Sequence, residues 1–169
     1  ETLLGEALEG VPRDRYVIAT KFQPKADDGL HKDPEALTEQ LEQSLRRLRV
    51  NTIDVLQYHG VGPEVYREVV ERFHPVALRA QEAGKVRFLG ISAHNPKVFR
   101  RVLNEYPQFS VIIFPYLFLT KEFGGDSLLK LAQEKNVGVI GLKPFGAGTV
   151  FGLKPQQISK GHKPDPNAH

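Results

Sequence analysis

An α/β fold with a parallel sheet, about five βα units of a (β/α)8 TIM barrel only partly present in the chain, is what this sequence predicts. Three observations carry it. Short β-branched apolar runs alternate with longer amphipathic stretches. The runs start at positions 17, 53, 87, 111 and 137, which leaves room for one strand, one helix and two loops in each interval. Each run also ends at or just before a polar side chain able to do chemistry, and barrel enzymes build their sites from such carboxyl ends. A five-stranded doubly wound sheet of flavodoxin type accepts the same alternation and would be complete at this length; the residues at the strand ends favour the barrel.

The strands are expected at Val17 to Lys21, Ile53 to His59, Arg87 to Ser92, Val111 to Tyr116 and Val137 to Leu142. In the first, alternation puts Lys21 on the same face as Val17 and Ala19. In the second, Asp54 opens a buried run, a position that an aspartate occupies only with hydrogen-bond partners. Asp33-Pro34 reads as an N-cap with proline at the first helical position, followed by a stripe of Leu37, Leu41, Leu45 and Leu48. Asn95-Pro96 opens another helix, with Val98, Val102 and Leu103 facing inward, and Leu128, Leu129, Leu131 and Ala132 serve the next. The chain itself begins in helical spacing, Glu1-Thr2-Leu3-Leu4-Gly5-Glu6-Ala7-Leu8. Residues 1–152 are read as one partial-barrel domain and 153–169 as a polar Pro/Gly/Lys-rich loop or tail.

Composition narrows the function. The 169 residues are 40% apolar and 25% charged, which suits one soluble core. They hold no cysteine, so within them there is no thiolate metal site, disulfide or cysteine nucleophile. Apolar runs such as Val111-Ile112-Ile113-Phe114 fall far short of the roughly 18 residues that span a bilayer, and the expectation is a cytoplasmic protein with no membrane partner. The net charge of +3 is spread along the chain; its densest cluster, Arg46-Arg47-Leu48-Arg49, is a solvated helix face, and no nucleic-acid partner is expected. The six histidines show no HExxH pairing, so no metal is expected. Ser92 and His94 do not make a hydrolase, because the nucleophile elbow needs glycine two residues after the serine, where His94 stands. After the last strand, Gly141-Leu142-Lys143-Pro144-Phe145-Gly146-Ala147-Gly148 lets backbone approach a phosphate, with Lys143 adding charge.

Four segments, in order, resemble a known family: Glu1 to Leu8, Ala19-Thr20-Lys21, Ser44-Leu45-Arg46-Arg47-Leu48 leading to Ile53-Asp54-Val55-Leu56-Gln57-Tyr58-His59, and Gly84 to Ser92. They are similar to the aldo-keto reductase superfamily, over residue 1 to about 150, as a divergent member spanning the third to seventh βα units. The resemblance implies an NAD(P)H-dependent oxidoreductase that reduces an aldehyde or ketone to an alcohol by hydride transfer, with NADP(H) as cofactor and a small carbonyl or alcohol as substrate. Of the family's Asp, Tyr, Lys and His tetrad, Lys21 matches the lysine and His59 the histidine. The ammonium stabilises the phenolate of a tyrosine whose ordinary pKa is about 10. The Asp and Tyr precede the opening helix in the family, so these 169 residues alone are expected to be inactive. For the cofactor, Ser92 matches the serine that contacts the carboxamide. Ala93 stands where an asparagine is usual, with Asn95 two positions on, and Lys143, Gly146 and Gly148 form the loop after the last strand. Ile113 replaces an expected glutamine, and Leu142 an aromatic. The alternative is a non-catalytic nucleotide-binding regulatory or interaction subunit on the same barrel.

Overall fold

The computed structural model describes residues 1–27, 29–116 and 125–146. The chain forms α1 (Thr2–Ala7), β1 (Ala19–Phe22), a small hairpin of β2 (Lys25–Ala26) and β3 (Gly29–Leu30), and α2 (Ala36–Leu48). These are followed by β4 (Ile53–Tyr58), α3 (Tyr66–Glu82), β5 (Val86–Ser92), α4 (Pro96–Glu105), β6 (Phe109–Pro115), α5 (Gly125–Glu134) and β7 (Gly138–Leu142). Five strands make one parallel sheet in the order β1-β4-β5-β6-β7. That order rejects the flavodoxin-type alternative. A doubly wound sheet reverses direction and carries helices on both faces, whereas strands laid down in chain order with right-handed crossovers put every helix on one face. The sheet is therefore a barrel segment of five βα units.

The sheet is also curled. Ala19 and Lys21 of β1 and Ile140 and Leu142 of β7 border the same groove, although the edges of a flat five-stranded sheet would lie about 19 Å apart. On the convex face the predicted helical stripes are buried: Leu37, Leu41, Leu45 and Leu48 of α2, Val98, Val102 and Leu103 of α4, and Leu128 and Ala132 of α5. They pack on Leu56, Tyr58, Leu89, Ile91, Ile112 and Phe114 of the strands, each large apolar side chain contributing about 1.5–3 kcal/mol. On the concave face room is made by Gly90, where a Cβ would lie 3.2 Å from Val55 and 3.3 Å from the Val111 carbonyl.

Several boundaries differ from the sequence reading. β1 starts at Ala19, and Val17 is 75% exposed outside it. α2 begins at Ala36 and not at Pro34. Asp33 and Pro34 form an entry turn of i to i+3 bonds, Ala36 N–H to Asp33 O and Leu37 N–H to Pro34 O, while the Asp33 carboxylate accepts from Glu35 N–H. The spacing leaves room for α3 but gives it no boundaries, because Pro75 interrupts its middle. The β2–β3 hairpin, two residues per strand, was not foreseen. α1 forms as expected, but Leu3 and Leu4 are 81% and 48% exposed and only Gly5 is buried. The 153–169 tail lies outside the described residues.

At the amino-terminal end of the sheet, Asp54 has the partners its position demands. Its Oδ2 accepts from Ile18 N–H at 2.8 Å and from Arg13 at 2.6 Å, and its Oδ1 from Arg87 at 2.6 Å. Burial alone would raise the pKa of this carboxyl; the bonds from Ile18, Arg13 and Arg87 outweigh it and hold the pKa below the ordinary value.

Two outcomes follow. Asp54→Ala strands the buried Ile18 N–H and should cost about 1–3 kcal/mol, with little added by the two arginines, which are partly solvated. Because the folded pKa lies below the unfolded value of about 3.9, the Asp54 contribution is present above about pH 4 and lost as pH falls through the folded pKa. Urea midpoints measured against pH should show wild type losing more stability in acid than Asp54→Ala, and parallel curves would refute the assignment. Gly5→Ala drives a Cβ into the Arg47 carbonyl and to 2.9 Å from the Leu48 carbonyl carbon. It should lower stability by about 1–3 kcal/mol in the same measurement.

Candidate active site

Parallel register carries the candidate residues to one end of the sheet. Lys21 lies opposite Gln57, Phe22 opposite Tyr58, and the next step brings His59 N–H to the Phe22 carbonyl at 2.9 Å. Lys21, His59 and Ser92 thus stand at the carboxyl ends of β1, β4 and β5. Lys21 and Gln57 line a groove of about 470 Å³ whose remaining walls include Ala19, Ile113, Ile140 and Leu142. Two of the departures from the family pattern, Ile113 and Leu142, are therefore both in that wall and give it an aliphatic side, while Glu1 and Thr20 also border the groove. A second depression, bordered by Glu42, Arg46, Arg49 and Lys85, lies at the amino-terminal ends of the strands. Of its charges, Lys85 pairs with Glu42 and Arg49 with Glu9 and Glu6.

His59 is the most informative group. Its Nδ1 lies 2.7 Å from Gln23 Oε1. Burial first, and then the positive charges of Lys21 and His94, push its pKa below the ordinary value. Three basic side chains from three successive strand ends, Lys21, His59 and His94, are close enough for their charges to act on one ring. Sequence inspection singled out the first two; His94 entered it only as a rejected hydrolase base. Gln23 was missed altogether, since nothing local in Lys21-Phe22-Gln23-Pro24 marks it.

Ser92 is buried, and its hydroxyl is engaged within the chain: Oγ accepts from Gly60 N–H at 3.0 Å and donates to the Tyr58 carbonyl at 3.3 Å. It fixes the turn after His59 and keeps one lone pair for a ligand. Asn95 caps α4, its Oδ1 accepting from Lys97 N–H at 2.9 Å. Lys143 has a left-handed backbone, φ 52°, and its carbonyl accepts from Gly146 N–H at 2.8 Å, closing a tight turn after β7. Gly148 lies outside the described residues. The structure thus brings Lys21 and His59 together, sets Ser92 against the His59 turn, and gives Asn95, Lys143 and Gly146 backbone duties of their own.

Tyrosine does not complete the groove. Tyr58 points into the helix-side core, edge-on to Phe22 and Phe109 with ring centres 5.8 and 5.4 Å away, and burial pushes its phenol well above the ordinary range. Tyr116 packs on Phe114. Among the described residues no group of three His, Asp or Glu side chains is placed to hold a metal ion, and no helix is long and apolar enough to cross a membrane.

Removing the Lys21 charge should relieve part of the pressure on His59. In Lys21→Met the His59 pKa, followed by proton NMR titration, is expected to rise toward that of a free imidazole; an unchanged value would show that the two side chains do not share the site.

Comparison with known proteins agrees with the barrel-segment fold. The family model described as "Aldo/keto reductase family" matches residues 1–168. L-galactose dehydrogenase of Arabidopsis thaliana is 30% identical over 156 residues, covering 88% of this chain and 47% of that protein. A probable aldo-keto reductase of Glycine max is 30% identical over 158 residues, 91% of this chain and 44% of that one. An aldo-keto reductase from Bacillus halodurans in its holo form superposes with a TM-score of 0.68 at 26% identity, covering 99% of this chain and 52% of that one. An aldo-keto reductase from Klebsiella pneumoniae in complex with NADPH has a TM-score of 0.69 at 22% identity, over 95% and 56% of the two chains. The chain spans about half the length of the curated relatives it matches. With a family model matched across nearly every residue and Lys21 and His59 gathered at neighbouring strand ends, the chain belongs to the aldo/keto reductase family.

Proposed function

We propose that this chain supplies the lysine and histidine half of an active site that reduces a small aldehyde or ketone to an alcohol with a nicotinamide dinucleotide, NADP(H) in the first instance. The observation that carries the reading is the register that sets Lys21 and His59 at the carboxyl ends of the paired strands β1 and β4, near enough for the lysine charge to act on the imidazole, with Lys21 lining a groove. Family membership supports it. The groove suits a nicotinamide: aliphatic walls from Ile113, Ile140 and Leu142 accept the faces of an uncharged ring. Gln57, whose buried Oε1 has no hydrogen-bond partner, offers an amide to its carboxamide.

When bound, the reduced nicotinamide supplies the hydride. The chain's own work is electrostatic and positional. Hydride arriving at a carbonyl carbon leaves negative charge on the oxygen. The Lys21 ammonium, held on a strand whose backbone cannot relax away, favours that charge more strongly in a groove than in water. The same ammonium lowers the cost of ionising a tyrosine that donates a proton to the oxygen. The described residues place no tyrosine in this groove, so in this reading the proton donor and its aspartate partner come from sequence other than these residues, and the 169 residues alone do not turn over. Ser92 acts indirectly, holding the Gly60 turn and with it the direction of His59.

The test follows NADPH absorbance with a panel of simple aldehydes and ketones in the full-length protein. Carbonyl-dependent NADPH consumption is expected, falling by about 10²-fold or more in Lys21→Met and His59→Ala. Wild-type rates in both variants would remove these residues from the chemistry. NADPH binding with no consumption on any carbonyl would replace the enzyme by a nucleotide-binding regulatory subunit.

A further inference from the structure

We propose that Gln23 is a positioning residue that sets the tautomer of His59, its side-chain oxygen taking the Nδ1 hydrogen so that the neutral ring offers Nε2 to a ligand as an acceptor. This rests on the carbonyl-reducing function proposed above, and within it on His59 being the side chain that meets the substrate oxygen. The argument begins with donor chemistry. An amide oxygen can only accept, so at 2.7 Å from Gln23 Oε1 the His59 Nδ1 must carry the hydrogen. In a neutral imidazole the other nitrogen is then bare, and the tautomer of a histidine is decided by the bond its far nitrogen makes.

The Gln23 backbone, from which that oxygen extends, is held in place from the helix layer. Gln23 N–H donates to Gln40 Oε1 at 2.9 Å and the Gln23 carbonyl accepts from Gln40 Nε2 at 3.2 Å, a two-bond clamp from α2 onto the end of β1. Gln40 Nε2 also sits 3.3 Å from His31 Nε2, beside the β2–β3 hairpin. On the other side, the His59 N–H is fixed to the Phe22 carbonyl at 2.9 Å, so both backbones that carry the Gln23–His59 bond are pinned before any ligand arrives.

The consequence is a sense of hydrogen bonding. A substrate hydroxyl can donate to a bare Nε2, whereas a carbonyl oxygen, which only accepts, needs Nε2–H and therefore the imidazolium. The charged and titratable groups acting on the ring are Lys21 from β1 and His94 from the segment after β5, both opposed to that protonation. The resting ring is thus matched to the alcohol member of the substrate pair, and the carbonyl member recruits its protonated form.

The tautomer is read directly by long-range proton–nitrogen correlation NMR on protein labelled with ¹⁵N-histidine, at a pH above the ordinary imidazole range. The His59 signals are identified by their loss in His59→Asn. Wild type is expected to show Nδ1 protonated and Nε2 bare, Gln23→Ala to shift the majority to the Nε2–H form, and Gln23→Glu, which keeps an acceptor oxygen, to restore the wild-type pattern. Gln23 is exposed and its clamp to Gln40 uses backbone atoms, so the alanine variant keeps the fold, with the other histidine signals as its control. An Nε2–H ring in wild type, or a spectrum unmoved by Gln23→Ala, overturns the proposal and leaves the carbonyl-reducing function standing. Wild-type turnover in Lys21→Met and His59→Ala overturns the function whatever the tautomer.

Discussion

Within the five-stranded sheet each strand after β1 hydrogen-bonds to the sheet's preceding strand, all parallel, and the site depends on that pairing order. Parallel register lines up the carboxyl ends, so residues separated by more than thirty positions, such as Lys21 and Gln57 or Tyr58 and Ile91, become neighbours. Right-handed crossovers then bank the helices on one side, and the curl that follows gives the other side a groove bounded by the first and last strands.

The two ends of the sheet do different work. At the amino-terminal end Asp54 gathers the Ile18 N–H, Arg13 and Arg87 into a bonded cluster in which every buried oxygen has a use. At the carboxyl end the ring of His59 resists protonation, first because it is partly buried and then because the charges of Lys21 and His94 act on it. Like charges held together disfavour a compact state, and a fold keeps such an arrangement where a ligand's negative charge offsets it. The division matches a barrel, in which one face carries stability and the other chemistry.

Much of this was legible in the residues. Asn95-Pro96 capped α4 as read, the α2 stripe of Leu37, Leu41, Leu45 and Leu48 was buried as read, and the spacing of apolar runs gave the sheet. The apolar runs placed Lys21 and His59 near the ends of their strands, and it was the family resemblance that singled the two out. The rest depends on contacts that sequence does not display. A proline in mid-helix hid α3, and two-residue strands carry too little pattern to reveal the hairpin. Asp33-Pro34 looked like a cap and proved to be the turn that leads into the helix. Gln23 reaches His59 across 36 positions, and the backbone bonds of Ser92 exist only once β4 and β5 are paired.

The central claim is that Lys21 and His59 act as one unit, and a double-mutant cycle on kcat/KM for carbonyl reduction tests it most directly. Groups that work together are strongly non-additive, whereas separate groups add in free energy. The account predicts that Lys21→Met with His59→Ala in one protein loses about as much activity as the worse of the two single variants; losses that multiply would contradict it.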